Sequence, residues 1–173
     1  MSLTFLTGGA RSGKSWLAQR AALATGRPVS VVVTATAGDE EMERRISRHR
    51  ADRPANWTTV EAPFEPAASV LAIPTGHVVV IDCISMWIAN LMLDGRSDES
   101  IESATHELCA VLVPRESAIV VTNEVGSAVV PDNELARRYR DVLGRANAAV
   151  SSVSCDAFLV VAGRLLRLEP APW

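Results

Sequence analysis

An α/β fold with a mostly parallel central sheet is predicted by short apolar runs, by helical segments alternating with them, and by a glycine-rich turn at the first strand-to-helix junction. The runs are Leu3–Leu6, Val29–Val33, Val78–Ile81, Ala118–Val121 and Phe158–Val161. Each is too short for a helix and apolar on both faces, as strands covered on both sides must be. The helical segments are Lys14–Thr25, Glu40–Arg50, Ser85–Leu93, Ile101–Leu112 and Glu134–Ser152. Glu40–Arg50 follows the helix dipole, with Asp39, Glu40, Glu41 and Glu43 at its start and Arg44, Arg45, Arg48 and Arg50 at its end. Pro114, Pro131 and Pro170 punctuate boundaries, and Asp94–Ser100, "DGRSDES", reads as a flexible loop. With no internal repeat, low-complexity tract or long linker, residues 1–173 are expected to form one domain.

A chain of 173 residues, 48% of them hydrophobic, has enough apolar matter for one sizeable core. Lys and Arg total 17 against 20 Asp and Glu, a net charge of -3, so no overall field favours nucleic acid or an anionic membrane. Any basic site must be local. Cys83, Cys109 and Cys155 lack CxxC spacing and read as buried thiols of a reducing cytoplasm. No leader-like N-terminus and no apolar stretch of spanning length is present, so a cytoplasmic protein without membrane insertion is expected.

"GGARSGKS" comprises Gly8, Gly9, Ala10, Arg11, Ser12, Gly13, Lys14 and Ser15, and it satisfies GxxxxGK[ST] at every required position. It follows an apolar run and opens into a helical pattern, the two contexts a phosphate-binding loop needs. Gly8 and Gly13 let the backbone curl so that its N–H groups face phosphate, and the helix N-terminus adds a positive dipole end. Lys14 is expected to reach the β- and γ-phosphates, with Ser15 on Mg²⁺. A second carboxylate should end a neighbouring buried strand, and Asp82 closes the run Val78–Ile81; capping the next helix is its alternative role. The guanine-reading NKxD pattern is absent, the nearest stretch being "TNEV" at Thr122–Val125, which disfavours a switch GTPase. A kinase, a nucleotidyl transferase, a RecA-like ATPase and a non-catalytic nucleotide-binding module remain open.

"RRISRHRADRP", Arg44–Pro54, surrounds His49 with arginines in an acidic chain. A nucleic-acid grip, a solvated helix end and a phosphate site beside an imidazole are the three explanations. Helical spacing sets His49 on one stripe with Met42 and Ile46, and Arg45 and Arg53 stand four residues to either side. Neighbouring cations disfavour the imidazolium, which leaves a nucleophilic lone pair, and they favour bound phosphate. The absence of interleaved aromatics weighs against an RNA grip.

These residues together resemble the bifunctional adenosylcobinamide kinase and adenosylcobinamide-phosphate guanylyltransferase family of cobalamin synthesis. The likeness runs through "TGGARSGKS", "TATAGDEEMERRISRHRADRPANWTTVE", "VVIDCISMWIANLM", "VTNEVGSAVVP" and "LARRYRDVLGRANAAV", and the middle block is its specific part. It implies that His49 accepts GMP from GTP before transfer to the phosphorylated corrinoid, and that Thr34, Ala35, Thr36, Arg50, Ala51, Asp52, Arg53, Glu61 and Asp82 line the nucleotide. It also implies a RecA-like P-loop NTPase sheet, a homotrimer, ATP or GTP as phosphoryl donor, and adenosylcobinamide and its phosphate as acceptors. The kinase half would use Lys14, Ser15, Mg²⁺ and Asp82 or Glu61. "TNEVG", Thr122–Gly126, lies at a strand end where open α/β sheets place ligands, or is a capping turn. Trp16, Trp57, Trp87 and Trp173 are expected to pack rather than to bind a ligand.

Overall fold

The computed structural model describes residues 2–38, 40–51, 53–127 and 129–171, leaving aside the side chains of Met42, Arg45 and His49. In chain order the elements are β1 (Leu3–Gly8), α1 (Lys14–Ala24), β2 (Val29–Val33), α2 (Glu40–Ala51), β3 (Thr58–Glu61), α3 (Pro66–Ala72) and β4 (Val78–Asp82). They continue as α4 (Ile84–Leu93), α5 (Asp98–Leu112), β5 (Ala118–Val121), α6 (Glu134–Ser152), β6 (Asp156–Val161) and β7 (Arg164–Leu168). The strands form one seven-stranded sheet in the order β3-β2-β4-β5-β1-β6-β7. All neighbours pair in parallel except β7, which runs antiparallel to β6.

Alternation along each strand sorts side chains onto two faces. Val79 and Ile81 of β4 join Trp87, Ile88, Leu108, Leu112, Leu143 and Val150 beneath α3 to α6, while Val78 and Val80 join Ala18 and Ala22 of α1 on the other side. Two buried alanines let α1 sit close to the sheet, which brings its N-terminus over the strand ends. Trp87 is 1% exposed and its indole N–H donates to the Phe64 carbonyl at 2.9 Å, so the largest core side chain has its polar atom satisfied. Buried Arg115 closes the end of α3 by donating to the Ile73 carbonyl at 2.9 Å.

Three elements lie outside the sequence expectation, each for a physical reason. Strand β3 has exposed ends around a half-buried Thr59 and Val60, and β7 is exposed along its length with Arg164 and Arg167 interrupting its leucines, so neither edge strand carries the continuous apolar signature of a central one. Helix α3 is seven residues with Pro66 at its start, too short to develop a period. The supposed loop Asp94–Ser100 is shorter than expected, because α5 begins at Asp98. Its first turn is polar rather than apolar: the Ser97 hydroxyl accepts the Ser100 N–H at 3.3 Å, and Asp98 and Glu99 meet the positive end of the dipole. The Arg138 and Arg145 guanidinium groups hold the Asp98 carboxyl below its ordinary range, the bond from Arg138 being the larger cause. Among the tryptophans Trp87 packs as expected, but Trp16 is 55% exposed with Arg20 stacked 5.0 Å from its ring centre. Trp173 lies outside the described residues.

Candidate nucleotide site

The phosphate loop joins β1 to α1 and is held by hydrogen bonds to its own carbonyls. The Lys14 ammonium, buried with α1, donates to the carbonyls of Gly8 at 2.8 Å and Gly9 at 2.6 Å and to the Ser12 hydroxyl at 3.3 Å. Gly8 has φ +150 and Gly13 φ +100, conformations that side chains resist. A Cβ at Gly8 would also lie 2.3 Å from the Val160 carbonyl oxygen. Gly8→Ala is therefore expected to cost about 3 kcal/mol in urea unfolding and to weaken nucleotide binding with it. The tip of the β6–β7 hairpin braces the loop from outside, with the Gly163 N–H donating to the Ser12 carbonyl at 2.8 Å.

Asp82 ends β4 opposite Val33 and Val121 in register, one strand removed from β1. The Ser15 hydroxyl donates to its Oδ1 at 3.5 Å, and Arg53 Nη2 donates to its Oδ2 at 3.2 Å. The ion pair is largely withdrawn from water, the Arg53 and Asp82 side chains being 8% and 18% exposed. Arg53 lies just past α2, so the arginine-rich segment ends on the carboxylate that also meets the phosphate loop. Ser15, Arg53, Trp57 and Asp82 line one small cleft.

The remaining expected residues fall into distinct places. Thr34 is fully buried, and its hydroxyl clamps the Cys83 peptide by donating to the carbonyl at 2.7 Å and accepting the N–H at 3.1 Å. Thr36 donates to Asn90 Oδ1 at 3.1 Å, Ala35 is half-buried, and Ala51 is exposed. Arg50 and Glu61 form an exposed pair at 3.8 Å, of little energetic weight. Glu61 and Asp82 flank Val33 on neighbouring strands, about 10 Å apart by two strand spacings, so Asp82 rather than Glu61 meets Ser15. Asp52 lies outside the described residues, as does the side chain of His49, whose backbone belongs to α2.

Sequence reasoning missed a polar layer beneath the site. Asn90 donates to the carbonyls of Thr34 at 2.7 Å and Pro63 at 3.0 Å, fixing the chain after β2. Ser85 accepts from Asn123 Nδ2 at 2.9 Å, and the Tyr139 hydroxyl donates to the Ser85 carbonyl at 3.1 Å. Burial above all pushes the Tyr139 hydroxyl up to about 12, so it stays a neutral donor. Burial, then the charge of Asp82, raises the Cys83 thiol, which keeps it uncharged beside the carboxylate. A lone asparagine inside the apolar helix "ISMWIANLML" is the one signal in the sequence that could have exposed this layer.

Among the described residues no group of three or more His, Cys, Asp or Glu could cage a metal. Ser15 and Asp82 instead present two hard oxygens 3.5 Å apart beside the phosphate loop, the donor set that magnesium takes when phosphate and water complete its shell. Among the described residues no helix is long and apolar enough to cross a membrane.

Comparison with known proteins bears on the fold and on the family. The RadB recombinase matches with a TM-score of 0.56 at 16% identity, covering 91% of this chain and 73% of that one, and so shares the P-loop NTPase fold expected from the sequence. The bifunctional adenosylcobalamin biosynthesis protein CobP of Pseudomonas aeruginosa is 41% identical over 170 residues, covering 96% of this chain and 97% of the relative. CobU of Escherichia coli, described in the same words, is 32% identical over 175 residues, covering 93% and 96%. With residues 4–168 also matching the family model itself, the chain belongs to the cobinamide kinase / cobinamide phosphate guanyltransferase family.

Proposed function

We propose that the chain phosphorylates adenosylcobinamide with ATP or GTP, then transfers GMP from GTP through a histidine–GMP adduct on His49 to give adenosylcobinamide-GDP. The observation that carries this is the Arg53–Asp82 pair beside Ser15. Arg53 stands four residues beyond His49, so the chemistry expected of α2 and that expected of the phosphate loop converge on one carboxylate.

In the kinase half, the loop N–H groups and the Lys14 ammonium hold the triphosphate and orient its γ-phosphoryl toward the acceptor hydroxyl. Ser15 and Asp82 would hold Mg²⁺, which supplies charge neutralisation on the phosphate oxygens. In the guanylyl half, a ring nitrogen of His49 attacks the α-phosphorus of GTP; a nitrogen–phosphorus bond forms as the bond to pyrophosphate breaks. The phosphate of adenosylcobinamide phosphate then attacks that phosphorus, takes the GMP and releases the imidazole. Arg50 and Arg53 stabilise charge during both transfers, with Thr34, Ala35, Thr36, Ala51, Asp52 and Glu61 around the nucleotide. On this proposal the chain acts in the cytoplasm as a homotrimer of single-domain subunits, which sedimentation and cell fractionation test.

The decisive experiment supplies adenosylcobinamide, Mg²⁺, ATP and GTP and follows the corrinoid by mass spectrometry. Successive gain of a phosphate and of a GMP is expected. Tight nucleotide binding with an unchanged corrinoid would leave only a binding module.

A further inference from the structure

Thr122, Asn123 and Glu124 follow β5, which the sheet order sets between β1, ending in the phosphate loop, and β4, ending in Asp82. Two members of this segment are locked onto other elements. The Thr122 hydroxyl donates to Asn147 Oδ1 at 2.8 Å, Asn147 Nδ2 donates to the Asn123 carbonyl at 3.1 Å, and Asn123 Nδ2 donates to the Ser85 hydroxyl at 2.9 Å. Glu124 is tied to the loop itself. Its backbone N–H donates at 3.0 Å to the Gly8 carbonyl, the same oxygen that accepts the Lys14 ammonium at 2.8 Å. A single carbonyl therefore fixes how far Glu124 stands from the lysine expected to hold the γ-phosphate.

The Glu124 carboxylate is half-buried, and its Oε1 accepts the Gly126 N–H at 2.6 Å. Its second oxygen has no hydrogen-bond or ion-pair partner among the described residues. The competing carboxylates stand elsewhere, Asp82 bound to Arg53 and Ser15, and Glu61 exposed on the outer strand β3. We propose that Glu124 is the general base of the kinase half-reaction. This rests on the function proposed above and adds the group that receives the proton. The acceptor hydroxyl oxygen bonds to the γ-phosphorus as the bridging bond to the β-phosphate breaks. The electron pair leaves with the nucleoside diphosphate, and the hydroxyl proton passes to the Glu124 carboxylate.

Glu124→Gln separates this role from a turn-capping one, because the amide oxygen still accepts the Gly126 N–H. A capping residue predicts an unchanged reaction, whereas a base predicts a fall in kcat for corrinoid phosphorylation of about 10²–10⁴-fold with the KM for ATP unchanged. Glu124→Asp should recover part of the loss, and His49 labelling by GTP should proceed at the wild-type rate. Retention of kcat within about threefold in Glu124→Gln, or loss of ATP binding by that variant, overturns the assignment. Wild-type protein that binds ATP but never phosphorylates the corrinoid overturns the function on which it rests as well.

Discussion

Lys14→Ala is expected to abolish both half-reactions, lowering kcat/KM for corrinoid phosphorylation by about 10³-fold or more. The cause is preorganisation. In the folded protein the ammonium is 6% exposed and held inside the loop by the Gly8 and Gly9 carbonyls and the Ser12 hydroxyl, so its charge already stands at the phosphate site and only the direction of a short hydrogen bond changes when phosphate arrives. Alanine removes that charge and the ammonium's ties to the Gly8 and Gly9 carbonyls, which keep only the backbone N–H groups of Glu124 and Ser12, so binding and turnover should fall together. Arginine should not restore them, since a planar guanidinium cannot replace a compact ammonium in this turn. Calorimetric titration with ATP and with GTP, beside separate assays of the two transfers, checks the expectation. Phosphorylation at the wild-type rate would remove the loop from the mechanism.

His49→Ala divides the two activities instead of removing both. Incubation with GTP labelled at the α-phosphate should leave an acid-labile, base-stable adduct on the wild-type chain and none on the variant, a loss of about 10⁴-fold or more in guanylyl transfer. Phosphorylation of the corrinoid should persist, because the loop, Ser15 and Asp82 are untouched. Label retained by the variant would refute the covalent route, and phosphorylation lost with it would mean that the His49 imidazole serves the kinase step too.

What could be read in the sequence was local. Gly8–Ser15 carries its own chemistry in eight consecutive letters, and Asp82 announces itself by ending a run of four apolar residues. The contact between Arg53 and Asp82 spans 29 positions and depends on where α2 ends relative to β4, which no periodicity encodes. The polar layer stayed hidden for a similar reason. Ser85, Asn123 and Tyr139 each look ordinary in their own segments and become a network only when α4, β5 and α6 are assembled, and Asn90 finds the Thr34 and Pro63 carbonyls only when α4 packs beside the chain that follows β2. Edge strands β3 and β7 escaped because exposure removes the apolar constraint that marks Val78–Ile81.

The hydrogen bond from Gly163 to Ser12 gives the chain a temporal asymmetry. The phosphate loop is translated well before the hairpin that braces it, and Val160 on the same hairpin lies against Gly8. A nascent chain still lacking β6 and β7 would hold the glycine turn without its outer support, because these contacts join segments far apart in sequence. Competence to grip a triphosphate should thus arrive abruptly, once β6 and β7 have emerged and paired, rather than growing in step with synthesis.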